Sequence, residues 1–170
     1  MQLTQRIAPC LWFDSQAEEA ANFYVSVFKN SKITSVAKYT KAGQETHKHR
    51  PGSVMTVEFE LDGQPFTALN GGPDFKFNEA VSFQVPCRNQ EEIDHYWDKL
   101  SKGGDPKAQM CGWLKDKYGL SWQVVPTILR ELLKDDQSPT AARAMDALLQ
   151  MKKIDIRELE RAVAGDKVTA

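Results

Sequence analysis

Residues 111–126 read Cys-Gly-Trp-Leu-Lys-Asp-Lys-Tyr-Gly-Leu-Ser-Trp-Gln-Val-Val-Pro, and the pattern is that of a β-hairpin. Trp113 and Leu114 end one strand, Asp116 to Gly119 make the turn, and Leu120 to Val125 form the next strand. Gly119 supplies the positive φ that such a turn commonly requires. Side chains alternate along a strand, so Leu120, Trp122 and Val124 share one face while Ser121, Gln123 and Val125 share the other. The second face therefore carries a polar glutamine at its centre.

Working outward, the chain echoes itself. Arg6–Phe13 is a short apolar strand candidate, followed by Ser15 and Glu18 at capping-box spacing. The helix after them places Ala20, Phe23, Tyr24, Val27 and Phe28 on one face. Ala80–Val85 repeats the strand, Asn89 with Glu92 resembles the cap, and Ile93, Tyr96, Trp97 and Leu100 repeat the apolar stripe up to Gly103-Gly104. Short strands follow each helix. In the first half these are about Ile33–Tyr39, Val54–Leu61 and Pro65–Asn70, with Asp62-Gly63 a strong hairpin turn. In the second half they are about Lys107–Met110, Cys111–Leu114 and Leu120–Val125. Two βαβββ units, roughly 1–74 and 75–126, give an α+β fold.

Residues 127–170 form a C-terminal helical extension expected to pack on the duplicated domain. Thr127–Lys134 reads as a short helix, and Ser138-Pro139 as an N-cap with proline at the first helical position. Ala142, Met145, Leu148, Leu149 and Met151 give the following helix an apolar face, with Lys152-Lys153 near its C-terminus. Asp155 and Glu158 open a last helix through Leu159 and Val163, and Gly165–Ala170 is expected to fray. Met151, Ile154 and Leu159 are expected to be largely buried.

With 41% hydrophobic and 26% charged residues over 170 positions, the chain can bury a sizeable core. A net charge of −1 implies neither nucleic acid nor an anionic membrane as partner. No apolar run reaches membrane-spanning length, and Met1–Ile7 has no signal-peptide pattern. Cys10, Cys87 and Cys111 form no CxxC or Cys/His metal spacing, and their odd number fits reduced thiols in the cytoplasm.

Several segments together resemble a known family: Pro9-Cys10-Leu11-Trp12-Phe13, Ala68-Leu69-Asn70-Gly71-Gly72-Pro73, Phe77-Asn78-Glu79-Ala80-Val81-Ser82-Phe83, Gly112-Trp113 with Asp116, and Tyr118 through Pro126. The tail segment Leu149-Gln150-Met151-Lys152-Lys153-Ile154-Asp155 adds to them. The chain resembles the PhnB-like branch of the vicinal oxygen chelate superfamily, which includes glyoxalase-like and extradiol-dioxygenase-like proteins. Members often carry a 3-demethylubiquinone-9 3-methyltransferase label. The resemblance implies a cupped mixed sheet with a cleft, and a homodimer, often with units paired across chains. Metal enzymes of the superfamily place His, Glu or Gln at four positions that fall here on Ala8, Asn70, Ala80 and Gln123. Two alanines and two amides make a poor set for zinc or iron, so no metal and no other cofactor is expected. No Gly-rich loop joins a strand to a helix, so a nucleotide-like cofactor lacks its usual seat.

Alternation then places Ala8, Cys10 and Trp12 on one face of their strand, with Leu11 and Phe13 behind, and Ala80, Ser82 and Gln84 on the equivalent face of theirs. With Phe66, Ala68, Asn70, Ser121 and Gln123 these would line one cup. The ligand-binding candidates are Cys10, Trp12, Asn70, Ser82, Gln84, Ser121 and Gln123. Such neutral groups suit an unknown small molecule, mostly apolar with one or two carbonyl, hydroxyl or amide groups, and no catalytic residue is assigned. Equally, the polar groups could satisfy one another or hold water. Two other functions are open. One is a metal-dependent lyase, isomerase or oxygenase using Gln123 and the His47-Lys48-His49-Arg50 loop. The other is a structural or partner-binding dimer with an occluded cleft. A solvated basic loop is the ordinary reading of His47–Arg50, and an inert small hydrophobe that of Cys10 and Cys111.

Overall fold

The computed structural model describes residues 6–165. The chain divides between Phe77 and Asn78 into two compact units.

In the first unit, β1 (Cys10–Phe13), β2 (Lys32–Lys38), β3 (Val54–Leu61) and β4 (Gln64–Asn70) form one sheet in the order β1-β4-β3-β2. β1 runs parallel to β4, and the other pairs are antiparallel. Asp62 and Gly63, with φ of 47° and 80°, make the expected two-residue turn between β3 and β4. Helix α1 (Ala17–Val27) buries Ala17, Ala20, Ala21, Tyr24 and Val27. The three alanines let it lie close on a sheet face made of Leu11, Phe13, Val57, Phe59, Phe66 and Ala68, all buried. Phe59 stacks between Tyr24, 6.3 Å away, and Phe66, 5.4 Å away. A single turn, α2 (Gln44–His47), lies in the loop before β3. The first strand is shorter than the sequence pattern allows, because pairing with β4 begins only at Cys10.

Ser15 does not cap α1. The N-cap is Gln16, whose side chain makes no capping bond. Asn70 does the work from the end of β4 instead: its Oδ1 accepts from the Ala17 N–H at 2.8 Å. A buried amide already aimed at the helix start leaves Ser15 to solvent.

In the second unit, β5 (Ser82–Cys87), β6 (Trp113–Lys115) and β7 (Ser121–Pro126) pair in the order β5-β7-β6, with β5 parallel and β6 antiparallel to β7. Helix α3 (Gln90–Leu100) is capped by Asn89, whose side chain accepts from the Glu92 N–H at 2.9 Å. It buries Ile93, Trp97 and Leu100 against the sheet face carrying Val85, Cys87, Leu114, Trp122 and Val124. The strand expected at 107–110 is a 3-10 turn, Pro106–Ala108. Pro106 lacks the N–H a ladder needs, and Asp105 Oδ1 takes the Lys107 N–H at 2.9 Å, so the backbone curls. Only Met110 bridges to Trp113, around a tight turn in which Cys111 and Gly112 have φ of 52° and 83°. Cys111 is thus a turn residue, not a strand residue.

The Asp116–Gly119 turn forms as expected. Asp116, 2% exposed, accepts from the N–H groups of Tyr118 (2.8 Å) and Leu120 (3.1 Å) through Oδ1 and from the Trp122 indole (2.9 Å) through Oδ2.

After β7 come α4 (Ile128–Leu132), α5 (Pro139–Leu149) and α6 (Ile156–Ala164). Ser138 and Asp155 cap α5 and α6 as expected, accepting from Ala141 N and Glu158 N. The buried face of α5 is Ala141, Ala144 and Leu148, whereas Ala142, Met145 and Leu149 are exposed. The apolar stripe is one residue out of phase with the expectation because the small alanines, not the bulkier Met145 and Leu149, face α6 and the core. Leu148, Met151, Ile154 and Leu159 form a cluster joined by Cys111, Val125, Leu129 and Leu132. The Cys111 and Gly112 N–H groups donate to the Met151 and Lys152 carbonyls, both at 2.8 Å. Gln90 clasps the same segment, donating to Ile154 O and accepting from Ile156 N. The end expected to fray lies outside the described residues except for Gly165, which closes α6 with φ of 87°.

Candidate functional site

The seven candidate residues fall in two groups, one in each unit. In the second unit, register sets Ser82 beside Ser121 and Gln84 beside Gln123, on the sheet face opposite α3. Their side chains meet. Gln123 Nε2 donates to Ser82 Oγ at 2.8 Å, and Gln84 Nε2 donates to Gln123 Oε1 at 3.3 Å. Ser121 is 1% exposed, and its Oγ is buried with no hydrogen-bond partner. Four of the seven candidates therefore form one patch, as their alternation implied.

That patch is not neutral. β6 contributes Trp113 beside Gln123 and Lys115 beside Ser121 on the same face. The Lys115 ammonium is paired with Glu79, in the segment just before β5. This hydrogen bond is the main cause holding the Glu79 carboxyl below the usual carboxylate range. Sequence reasoning missed Lys115, although the signal was there: Asp116 and Leu120 bracket the turn, so counting back one residue sets Lys115 opposite Ser121.

In the first unit the phase of β4 differs from the expectation. Parallel pairing joins Trp12 to Leu69 and Phe13 to Asn70, so Asn70 lies on the helix face with Phe66 and Ala68, away from Cys10 and Trp12. Its amide is committed: Oδ1 holds the α1 start, and Nδ2 donates to Val54 O at 3.0 Å. Its carbonyl accepts from Tyr39 Oη at 2.6 Å. The residues that do share a face with Cys10 and Trp12 are Thr67 and Leu69 on β4 and Thr56 and Glu58 on β3. The alternation of buried Val57, Phe59 and Leu61 with Thr56, Glu58 and Glu60 carried that signal. Trp12 is half-buried, donates its indole N–H to Gly72 O at 2.8 Å and meets Phe75 edge-on at 4.9 Å. Cys10 is exposed, and partial desolvation raises its thiol pKa, the reverse of what activates a nucleophile. Burial, aided by the charge of Glu92, pushes the Cys87 thiol up to about 12.

The four positions that hold metal in related enzymes do not fit one here. Ala8 and Ala80 have no ligand atom, the Asn70 amide serves backbone groups, and the Gln123 amide serves Ser82 and Gln84. Among the described residues no three His, Cys, Asp or Glu side chains gather as a metal would need. In the loop, His47 and His49 flank Tyr39 with ring centroids at 4.6 and 4.2 Å, and His47 Nδ1 accepts from the His49 N–H at 3.0 Å. That bond occupies one nitrogen a two-histidine clip could use. A cavity of about 330 Å³ lies apart from this chemistry, between α5 and α6. Its Arg143 is spent on the Ala162 and Val163 carbonyls.

Known proteins place this architecture. The two strand–helix–sheet units are those of the vicinal oxygen chelate fold. The sequence profile of the 3-demethylubiquinone-9 3-methyltransferase family matches residues 5–125. A PhnB protein of Bacillus cereus, provisionally assigned to those methyltransferases, is 36% identical, with TM-score 0.61, over 72% of this chain and 100% of its own. Protein PA1353 of Pseudomonas aeruginosa is 15% identical, with TM-score 0.54, over 72% of this chain and 98% of its own, a likeness of fold. The fosfomycin resistance protein FosX of Listeria monocytogenes is 13% identical, with TM-score 0.48, over 76% of this chain and 98% of its own. No curated protein matches. The chain belongs to the PhnB-like 3-demethylubiquinone-9 3-methyltransferase family. The profile ends at residue 125 and does not extend to the tail segment 149–155.

Proposed function

We propose that the protein binds a small molecule on the sheet face of its second unit opposite α3, through Ser82, Gln84, Ser121 and Gln123, without a metal. The observation that carries this reading is the row of interlinked polar side chains on a face that α3 does not cover, with one buried hydroxyl left over. A buried polar group without a partner is uncommon in native proteins, and a ligand is one of the few things that accounts for it. Family membership supports small-molecule binding, and the methyl transfer in the family's description is not assigned to this chain, in which no Gly-rich loop joins a strand to a helix to seat a nucleotide-like cofactor. The test is a screen of small amide, ketone and hydroxyl fragments by protein-observed NMR. Binders should shift the amides of β5 and β7, and Gln123→Ala should weaken them several-fold while leaving the spectrum of the fold intact. Fragment shifts confined to the α5–α6 cavity would overturn the reading.

The same reading includes a homodimer in a reducing compartment such as the cytoplasm. Its support is the exposed Val36 on edge strand β2, exposed Phe75, Val81 and Met110, and three unpaired cysteines. Light scattering at micromolar concentration should give twice the chain mass. A monomer throughout that range would remove the dimer. No described helix is long and apolar enough to cross a membrane.

A further inference from the structure

We propose that the ligand of this face carries a carboxylate, received by Lys115 and Ser121, and that Glu79 holds that carboxylate's place until the ligand displaces it. The inference rests on the face of the second unit opposite α3 being the binding site. It adds the chemical class of the ligand and a residue that competes with it.

Ser121 sits on the central strand of the three, with Ser82 beside it on β5 and Lys115 beside it on β6. Its hydroxyl can donate one hydrogen bond and accept two, yet it makes none while almost fully buried. Glu79 stands three residues before Ser82, and Lys115 is the last residue of β6. Their ion pair therefore joins the segment before β5 to the end of β6, at the residue whose register partner on β7 is Ser121. The carboxylate already on Lys115 shows what the ammonium is placed to receive.

The two partners are not equally fixed. The Glu79 side chain is 65% exposed and the Lys115 side chain 23%. Lys115 is also anchored through its backbone: a Cβ built on Gly104 would lie 1.9 Å from the Lys115 carbonyl oxygen, so the chain passes in direct contact. An exposed, hydrated carboxylate on a more buried cation is a weakly held pair that a better-seated anion can replace. The incoming oxyanion would accept from the Lys115 ammonium and from the Ser121 hydroxyl at once, charge-assisted bonds that Glu79 makes only in part. Ser82 accepts from Gln123, and its own proton is oriented by nothing else described, so it can supply a third donor.

The experiment titrates the full chain at low ionic strength with sodium acetate, following backbone amides by NMR; methylammonium chloride serves as the control. Acetate should bind in the millimolar range and shift Ser82, Lys115 and Ser121, and the cation should not. Glu79→Gln should tighten acetate several-fold, because the competing carboxylate is gone. Lys115→Met should abolish binding, and Ser121→Ala should weaken it several-fold. If Lys115→Met fails to fold, Glu79→Gln alone decides, since an exposed side chain in a loop leaves the fold alone. No acetate binding, binding unmoved by Glu79→Gln or by Ser121→Ala, or binding that survives in a folded Lys115→Met protein, overturns the proposal. Should neutral fragments still bind in a Gln123-dependent way in that case, the site stands and only its carboxylate chemistry falls. If neither acetate nor fragments bind, the site reading falls too.

Discussion

The two units answer the same local problem with different residues. In each, a strand leads into a helix whose first N–H groups need acceptors. The second unit solves this locally, with Asn89 one position before α3. The first solves it at a distance: Asn70, 53 residues on, caps α1 and ties the start of β3 as well. The amides at the ends of the two units consequently have opposite fates. Asn70 is consumed by the backbone of its own unit, whereas Gln123 faces outward and binds only neighbouring side chains. One is a keystone of the fold and the other is linked only to the side chains beside it. The comparison teaches that two amides near the ends of equivalent units can be committed differently, one to the backbone and one to a row of polar side chains.

The largest expected effect lies outside this pair, at the turn that holds Gln123 in register. Asp116→Ala should remove on the order of 3 kcal/mol or more of stability, because it leaves a buried indole N–H and two backbone N–H groups without an acceptor. Asp116→Asn keeps the Oδ1 acceptor but turns an N–H toward the Trp122 indole, so it should recover only part of the loss. Denaturation in urea checks both. An Asp116→Ala protein within about 0.5 kcal/mol of the parent would show that the turn does not anchor β7.

Asn70→Ala comes next, at about 2 kcal/mol, since it removes a buried cap and leaves the Val54 carbonyl short of a donor. Asn70→Asp should cost less: it retains the acceptor and puts a negative charge at the helix N-terminus. Asn89→Ala should cost about 1 kcal/mol, the ordinary value of a surface N-cap. The order of these two losses is the sharper test. If Asn89→Ala costs as much as Asn70→Ala, the remote cap is no keystone.

Much of this was legible in sequence. The α3 stripe, the Asp62-Gly63 and Asp116–Gly119 turns, and the caps at Asn89, Ser138 and Asp155 are local signals, and each appears in the structure. The misses were matters of phase or of distant partners. β4 ends in Phe66, Ala68 and Asn70, and nothing within the strand says that a polar asparagine belongs on the buried side, because its reason lies at Ala17. The strand expected at 107–110 gives way to a turn because Pro106, just before it, lacks an N–H and Asp105 takes the next one. On the second unit's face, Ser82, Gln84, Ser121 and Gln123 followed from alternation, but the charge brought by Lys115 needed the strand register across the turn.

The smallest expected effect on stability is at Gln123. Its side chain is half-buried on the face opposite α3, so Gln123→Ala should change unfolding free energy by no more than about 0.5 kcal/mol. That near-silence is what separates it from Asn70, and a loss comparable to that of Asn70→Ala would erase the difference between the two units. Gln123→Glu sharpens the point further. It installs a carboxylate at a position where the superfamily's metal enzymes keep a ligand, beside Ser82 and Gln84. One carboxylate with Ala8, Ala80 and a committed Asn70 does not complete a zinc or iron set, which takes three or four good ligands. Protein carrying Gln123→Glu, dialysed against zinc, manganese or nickel and analysed for bound ion, should retain no stoichiometric metal. One tightly held ion per chain would mean that ligands come from residues these faces do not supply, and the metal-independent reading would have to be abandoned.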